Sequence, residues 1–211
     1  MTIPQALWSF ALLAGVLTII PGIDTTLVLR STLTQSRRHA YATALGIATG
    51  TFAWGVAAAL GAAALLAASE IAFTILKLVG AAYLIYLGVT MIVASFRRID
   101  VFTEAQIKPK GSLWAAFGRG AATDLLNPKV GVFYMALIPQ FIPPGVPPVG
   151  MGLLLALVHV IESLVWFSAI IFASGYARAW LSSARVTRWI DRVTGGILIV
   201  FGGVLVAESR G

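Results

Sequence analysis

Long apolar stretches dominate this chain, and its polar residues collect in the gaps between them. Read by charge and turn punctuation, six stretches are long enough to cross the membrane, near Ile3–Leu29, Ala40–Leu66, Ile71–Phe96, Leu113–Ile142, Val149–Ala173 and Ile190–Ala207. Crossing about 30 Å of hydrocarbon takes roughly 20 mainly apolar residues. The second and third stretches are separated minimally, with Ser69 and Glu70 as the strongly polar marks. The fourth contains Arg119, Asp124 and Lys129, and its start, with Trp114 and Phe117, is expected along the membrane interface.

Two of these stretches are interrupted in the same way. The first reads Ile19-Ile20-Pro21-Gly22-Ile23-Asp24, and the fourth reads Asp124-Leu125-Leu126-Asn127-Pro128-Lys129. A proline inside a helix removes a backbone hydrogen bond and clashes with the preceding turn. In hydrocarbon the freed groups are tolerated only where protein or a watery cavity covers them. Charges at that depth cost about 2.5–3.5 kcal/mol each on insertion scales and mark ion or substrate paths.

The positive residues give a direction. Arg30, Arg37 and Arg38 lie in the first gap; Arg97, Arg98, Lys108 and Lys110 in the third; Arg178, Arg185 and Arg188 in the fifth. The second and fourth gaps hold no Lys or Arg. By the positive-inside rule the odd gaps are cytoplasmic and both termini periplasmic. Topology thereby accounts for the net charge of +7, and no nucleic-acid partner is needed. The first 29 residues carry no Lys or Arg, so the apolar start lacks the basic region of a cleaved signal and is expected to remain as a membrane helix.

Six spans divide into two sets of three, and an odd number makes the second set enter the membrane in the opposite sense. The expectation is an all-α integral membrane protein of two inverted three-helix repeats, with broken first and fourth helices. Repeat 1 covers about 1–96, a cytoplasmic linker about 97–112 and repeat 2 about 113–211. Trp8 stands 13 residues before Pro21 and Trp114 stands 14 before Pro128, a weak echo between halves that would set the two breaks face to face.

Local chemistry gives those breaks a use. Asn127 is a favoured N-cap and Pro128 suits the first helical position, so a half-helix can start there and present its amide ends to a carboxylate. Pro21 and Gly22 can end one helix segment and open another, with Gly22 permitting close approach of a ligand. Asp24 and Asp124 supply negative groups for an ammonium or a proton, and an amino acid zwitterion suits the set. The competing reading is a pair of packed kinks whose acids pair with neighbouring lysines.

Glu162 lies near the middle of the fifth span, one turn from His159 on the same face, and the two are candidates for proton coupling. The structural alternative is an ion pair from Glu162 to Lys77 or Lys129, and Lys77 can instead snorkel outward. Small-residue stripes, Ala42/Gly46/Gly50 and Gly195/Gly196/Gly202/Gly203, suit close helix packing, and Tyr83 and Tyr86 suit interhelical hydrogen bonds or a cavity wall. There are no cysteines and two distant histidines, His39 and His159, so neither a thiolate site nor a compact zinc site is expected, and no cofactor. No nucleophile–base pair is legible, which argues against an enzyme.

The run PGIDTTLVLRSTLTQSRRHAYATALGIATG, the segment LKLVGAAYLIYLG (Leu76–Gly88) and the segment LLNPKVGVFYMALIPQF (Leu125–Phe141) together resemble the lysine-exporter (LysE) and homoserine/threonine-efflux (RhtB) superfamily. One departure is Ile23, where that family commonly has a second proline. The resemblance implies proton-driven export of amino acids or similar small metabolites across the bacterial inner membrane, and it is compatible with a homodimer. It places the functional role on Pro21, Gly22, Asp24, Lys77, Asn127, Pro128 and Lys129. Rival readings are an exporter of metal ions or organic cations, and a passive channel.

Overall fold

A computed structural model describes residues 1–96, 111–176 and 183–208. The proposed linker therefore lies outside the described residues apart from Gly111 and Ser112, as do Arg97, Arg98, Lys108, Lys110 and Arg178. The described residues form helices and short connections without strands. In chain order they are α1 (Ile3–Ile19), α2 (Ile23–Thr34), α3 (Arg37–Ala68), α4 (Glu70–Ala94), α5 (Leu113–Leu125) and α6 (Pro128–Leu137). A 3-10 turn (Ile138–Phe141), α7 (Pro148–Phe172) and α8 (Ala184–Glu208) follow.

Helix ends carry the expected local chemistry. Thr2 and Gln5 form a capping box at α1, and Ser36, Ser69 and Ser112 each accept a backbone hydrogen bond at the starts of α3, α4 and α5. Ser69 alone separates α3 from α4, as the polar punctuation there predicts. α8 begins six residues before the predicted Ile190, which moves Arg185 and Arg188 from a loop onto its first turns.

α3, α4, α7 and the stretch Arg185–Ala207 of α8 are each long and apolar enough to cross a membrane. The pair α1–α2, bent by 54° at its break, meets the same criterion as a unit. The chain is thus a membrane protein whose described residues are all-helical and hold four to five candidate spans. α5 and α6, at 13 and 10 residues, are each too short to cross alone.

Lipid tails are as apolar as the side chains facing them, so helix association here depends on close packing rather than on escape from water. α3 packs on α5 and α7, α4 on α8, and α1 on α7. Gly46 lies directly against the backbone carbonyl of Phe117, and Gly120 against that of Thr43, so neither position has room for a Cβ. Between α4 and α8, a Cβ on Gly88 or Gly195 would stand 2.5 Å from the other residue's carbonyl oxygen. The stripe expectation for α8 holds in part: Gly195 and Gly202 pack against α4, whereas Gly196 and Gly203 meet nothing within 4 Å. The buried 3-10 turn locks into the main core through Phe141, edge-on to Phe10 and stacked on Phe201.

Candidate functional site

Both predicted breaks are present. α1 ends at Ile19 and α2 starts at Ile23, leaving Ile20, Pro21 and Gly22 between them; α5 ends at Leu125 and α6 starts at Pro128. Around the two breaks lies a cavity of about 300 Å³, at the small end of ligand pockets. Pro21, Gly22 and Asp24 line it from the first break, and Asp124, Asn127 and Lys129 from the second. α3 adds Ile47 and Thr51; α7 adds His159, Ser163 and Phe167.

Asn127 ties the breaks together. Its side-chain oxygen accepts from the Lys129 amide at 3.1 Å, capping α6, while its Nδ2 donates to Asp24 Oδ2 at 3.2 Å across 103 residues of sequence. Asp24 Oδ1 is buried and has no hydrogen-bond partner in the described structure. Lys129 stands within electrostatic range of Asp24 and of Asp191 on α8, but forms no ion pair with either at 4 Å or less.

The amide donors are distributed differently from the sequence expectation. At α6 the Lys129 amide goes to the Asn127 side chain and the Val130 amide to the Asn127 carbonyl, at 3.1 Å each, so this helix start is closed internally. At α2 the N-cap is Gly22, which offers no side-chain cap. The amides of Ile23, Asp24 and Thr25 precede the first helical bond, from Thr26 to Gly22, and these residues line the cavity. The open helix start is that of α2.

Asp124 sits on the last turn of α5 and is 1% exposed. Its Oδ1 accepts from the Thr51 hydroxyl at 3.1 Å, and its Oδ2 is buried without a partner. A Cβ on Gly50 would stand 2.7 Å from that Oδ2, so the glycine makes the space Asp124 occupies.

His159 is buried at the cavity wall with both ring nitrogens engaged. Tyr134 Oη lies 2.8 Å from Nδ1 and Thr18 Oγ1 lies 3.1 Å from Nε2. The single hydroxyl hydrogen of Thr18 goes to the Ala14 carbonyl at 2.8 Å. Nε2 must therefore be the donor to Thr18, and in the neutral imidazole this leaves Nδ1 to accept from Tyr134. The Tyr134 ring stacks on the imidazole with centroids 5.6 Å apart. This chain links α6, α7 and the last turn of α1.

Two expected site residues lie elsewhere. Glu162 does not line the cavity; it faces Gly15 of α1, its Oε2 is buried without a partner, and it forms no ion pair with Lys77 or Lys129. Lys77 sits on α4, where its backbone carbonyl accepts from the Gln140 side chain, and it too is absent from the cavity wall. Tyr83 and Tyr86 face each other at 6.2 Å, away from the cavity. Thr51, Thr18 and Tyr134 were not singled out from sequence. Thr51 has a signal in hindsight, since it follows Gly50 directly on the predicted packing stripe.

Comparison with known proteins identifies the family. The profile of the LysE type translocator family matches residues 15–209. The chain is 34% identical to an uncharacterized membrane protein, YrhP, of Bacillus subtilis (strain 168), over 94% of this chain and 97% of that protein. It is 31% identical to the homoserine/homoserine lactone efflux protein of Salmonella typhi, over 96% and 98%. It is 25% identical to the leucine efflux protein of Salmonella choleraesuis (strain SC-B67), over 92% and 90%. No solved structure matches. With a match that runs from the end of α1 through α8 and takes in both breaks, the chain belongs to the LysE type translocator family.

Proposed function

We propose that this protein exports amino acids or related small metabolites across the bacterial inner membrane by proton antiport and alternating access. The observation that carries this reading is the meeting of the two breaks, Asn127 on Asp24, beside a small cavity with two unpaired carboxylate oxygens. Asp24 Oδ1 suits a substrate ammonium, while Lys129 and the open amides of α2 suit its carboxylate. Apolar groups of Ile20, Ile47, Val130 and Phe167 give the side chain a dry wall. Relatives named for efflux of homoserine, homoserine lactone and leucine support this substrate class.

The architecture we propose is six spans in two inverted repeats, about 1–96 and 113–211, with α5 and α6 as the broken fourth span and both termini periplasmic. The helix pairing supports it. Exchanging the halves turns the α3–α5 contact into the contact of α7 with α1, and maps α4–α8 and α3–α7 onto themselves. Within α3–α7 the packing is reciprocal: Gly55 meets Ala156 and Gly152 meets Ala59.

Reconstitution tests the reading. Proteoliposomes equilibrated with labelled homoserine or leucine at equal concentration on both sides should expel label against the gradient that builds when a proton gradient is imposed, and lose that movement when the proton gradient is collapsed. Label that only equilibrates, whatever the proton gradient, would instead identify a passive channel.

A further inference from the structure

Asp124 lines the cavity and forms no ion pair among the described residues. α2 brings Asp24 toward it, with Arg30 six residues farther along. α6 brings Lys129, whose acidic neighbours are Asp24 and Asp191, and the phenol of Tyr134, already given to His159. α3 carries Arg37, Arg38, His39 and Tyr41 in its first two turns and no titratable residue after them, and it contributes the Thr51 hydroxyl. On α5 itself Arg119 is exposed. His159 on α7 has both ring nitrogens taken, by Tyr134 and Thr18. A buried carboxylate with one neutral donor, one empty oxygen and a second carboxylate nearby has little to offset the cost of its charge.

We propose that Asp124 carries the exchanged proton, which the substrate's ammonium displaces on binding. This rests on the exporter reading above. Asp24 Oδ1 and Asp124 Oδ2 are buried, unpaired acceptors on two residues that line one cavity, and together they hold one positive charge, proton or ammonium, in either state. On the cytoplasmic side the Asp124 O–H breaks, its proton goes to water, and the ammonium takes its place. On the periplasmic side the ammonium leaves and a proton from water re-forms the O–H. One proton thus enters for each substrate exported. Glu162 is worse placed, because it lies off the cavity and cannot meet the substrate. His159 is worse placed because a second ring proton would reverse the Tyr134 hydrogen bond and leave the phenol hydrogen to find another acceptor.

Purified full-length protein in weakly buffered detergent solution, with a pH-indicator dye, tests this directly. Homoserine and leucine serve as probes, with binding measured by equilibrium dialysis of labelled compound. Wild type and Glu162→Gln should each release about one proton per molecule bound, and Asp124→Asn should bind without release. Binding without release in wild type, continued release in Asp124→Asn, or loss of release in Glu162→Gln would each overturn the assignment while leaving the exporter reading intact. Absence of binding by wild type for every amino acid tried would overturn both. If Asp124→Asn fails to fold, Thr51→Val decides the matter. Loss of a hydrogen bond to a charged group should move the pH midpoint of release by about one unit, and an unmoved midpoint would remove Asp124 from the proton path.

Discussion

Asn127 Nδ2 donates to Asp24 Oδ2 at 3.2 Å, and this one bond joins the interrupted first helix to the interrupted fourth. The same side chain caps α6 with its oxygen. Asn127 therefore holds a helix start and an acidic group of the cavity in fixed relation, as a carboxylate at that position, lacking donors, could not.

The charge of Asp24 is expected to matter more than its shape. Asp24→Asn keeps an acceptor for Asn127 and removes the negative charge. Losing a charge-assisted hydrogen bond of about 1.5–3 kcal/mol should weaken substrate binding roughly 10- to 150-fold, with insertion intact. Export and labelled-substrate binding, normalised to membrane expression, check this. Normal export by a well-expressed mutant would reduce Asp24 to a helix-end partner.

Gly50→Ala should disturb the site from a position that touches no substrate. The added Cβ would lie 2.7 Å from Asp124 Oδ2 and 3.0 Å from its Cβ. Overpacking of this kind costs about 1–3 kcal/mol. Gly118→Ala, where nothing lies within 4 Å, is the neutral control. Thermal unfolding in detergent should separate the two, and equal stability would show that α5 shifts freely.

Tyr134→Phe removes the donor to His159 Nδ1 and leaves that nitrogen buried and unpaired, at a cost of about 1–3 kcal/mol. Thr18→Val should act similarly from the other side of the ring, by stranding the Nε2 hydrogen. Tyr86→Phe should be neutral, since Tyr86 is 63% exposed. The same thermal measurement on all three tests whether His159 is held as described.

Topology is open to reporter fusions. A phosphatase that works only in the periplasm should be active when fused after the last residue of the chain, and a cytoplasmic fluorescent reporter there should be dark. The opposite pattern would overturn the periplasmic placement of the C-terminus.

The sequence alone determined the membrane class, the breaks at Pro21 and Pro128 and the N-cap at Asn127. Each depends on hydropathy or on the conformational limits of a few adjacent residues, and such local causes act the same in any fold. It also marked Asp24 and Asp124, because a carboxylate within an apolar run must be covered by something. Only the tertiary structure decided what covers them. Asp124 finds Thr51 from a helix 73 residues earlier in the chain, and Asp24 finds Asn127. Glu162 and Lys77 carry the same sequence signal, a charge in an apolar run, yet stand off the cavity. The difference lies in which face of each helix meets the breaks, and that is set by where glycines such as Gly46 and Gly120 let backbones touch. Close packing between distant segments leaves only a faint mark on either sequence.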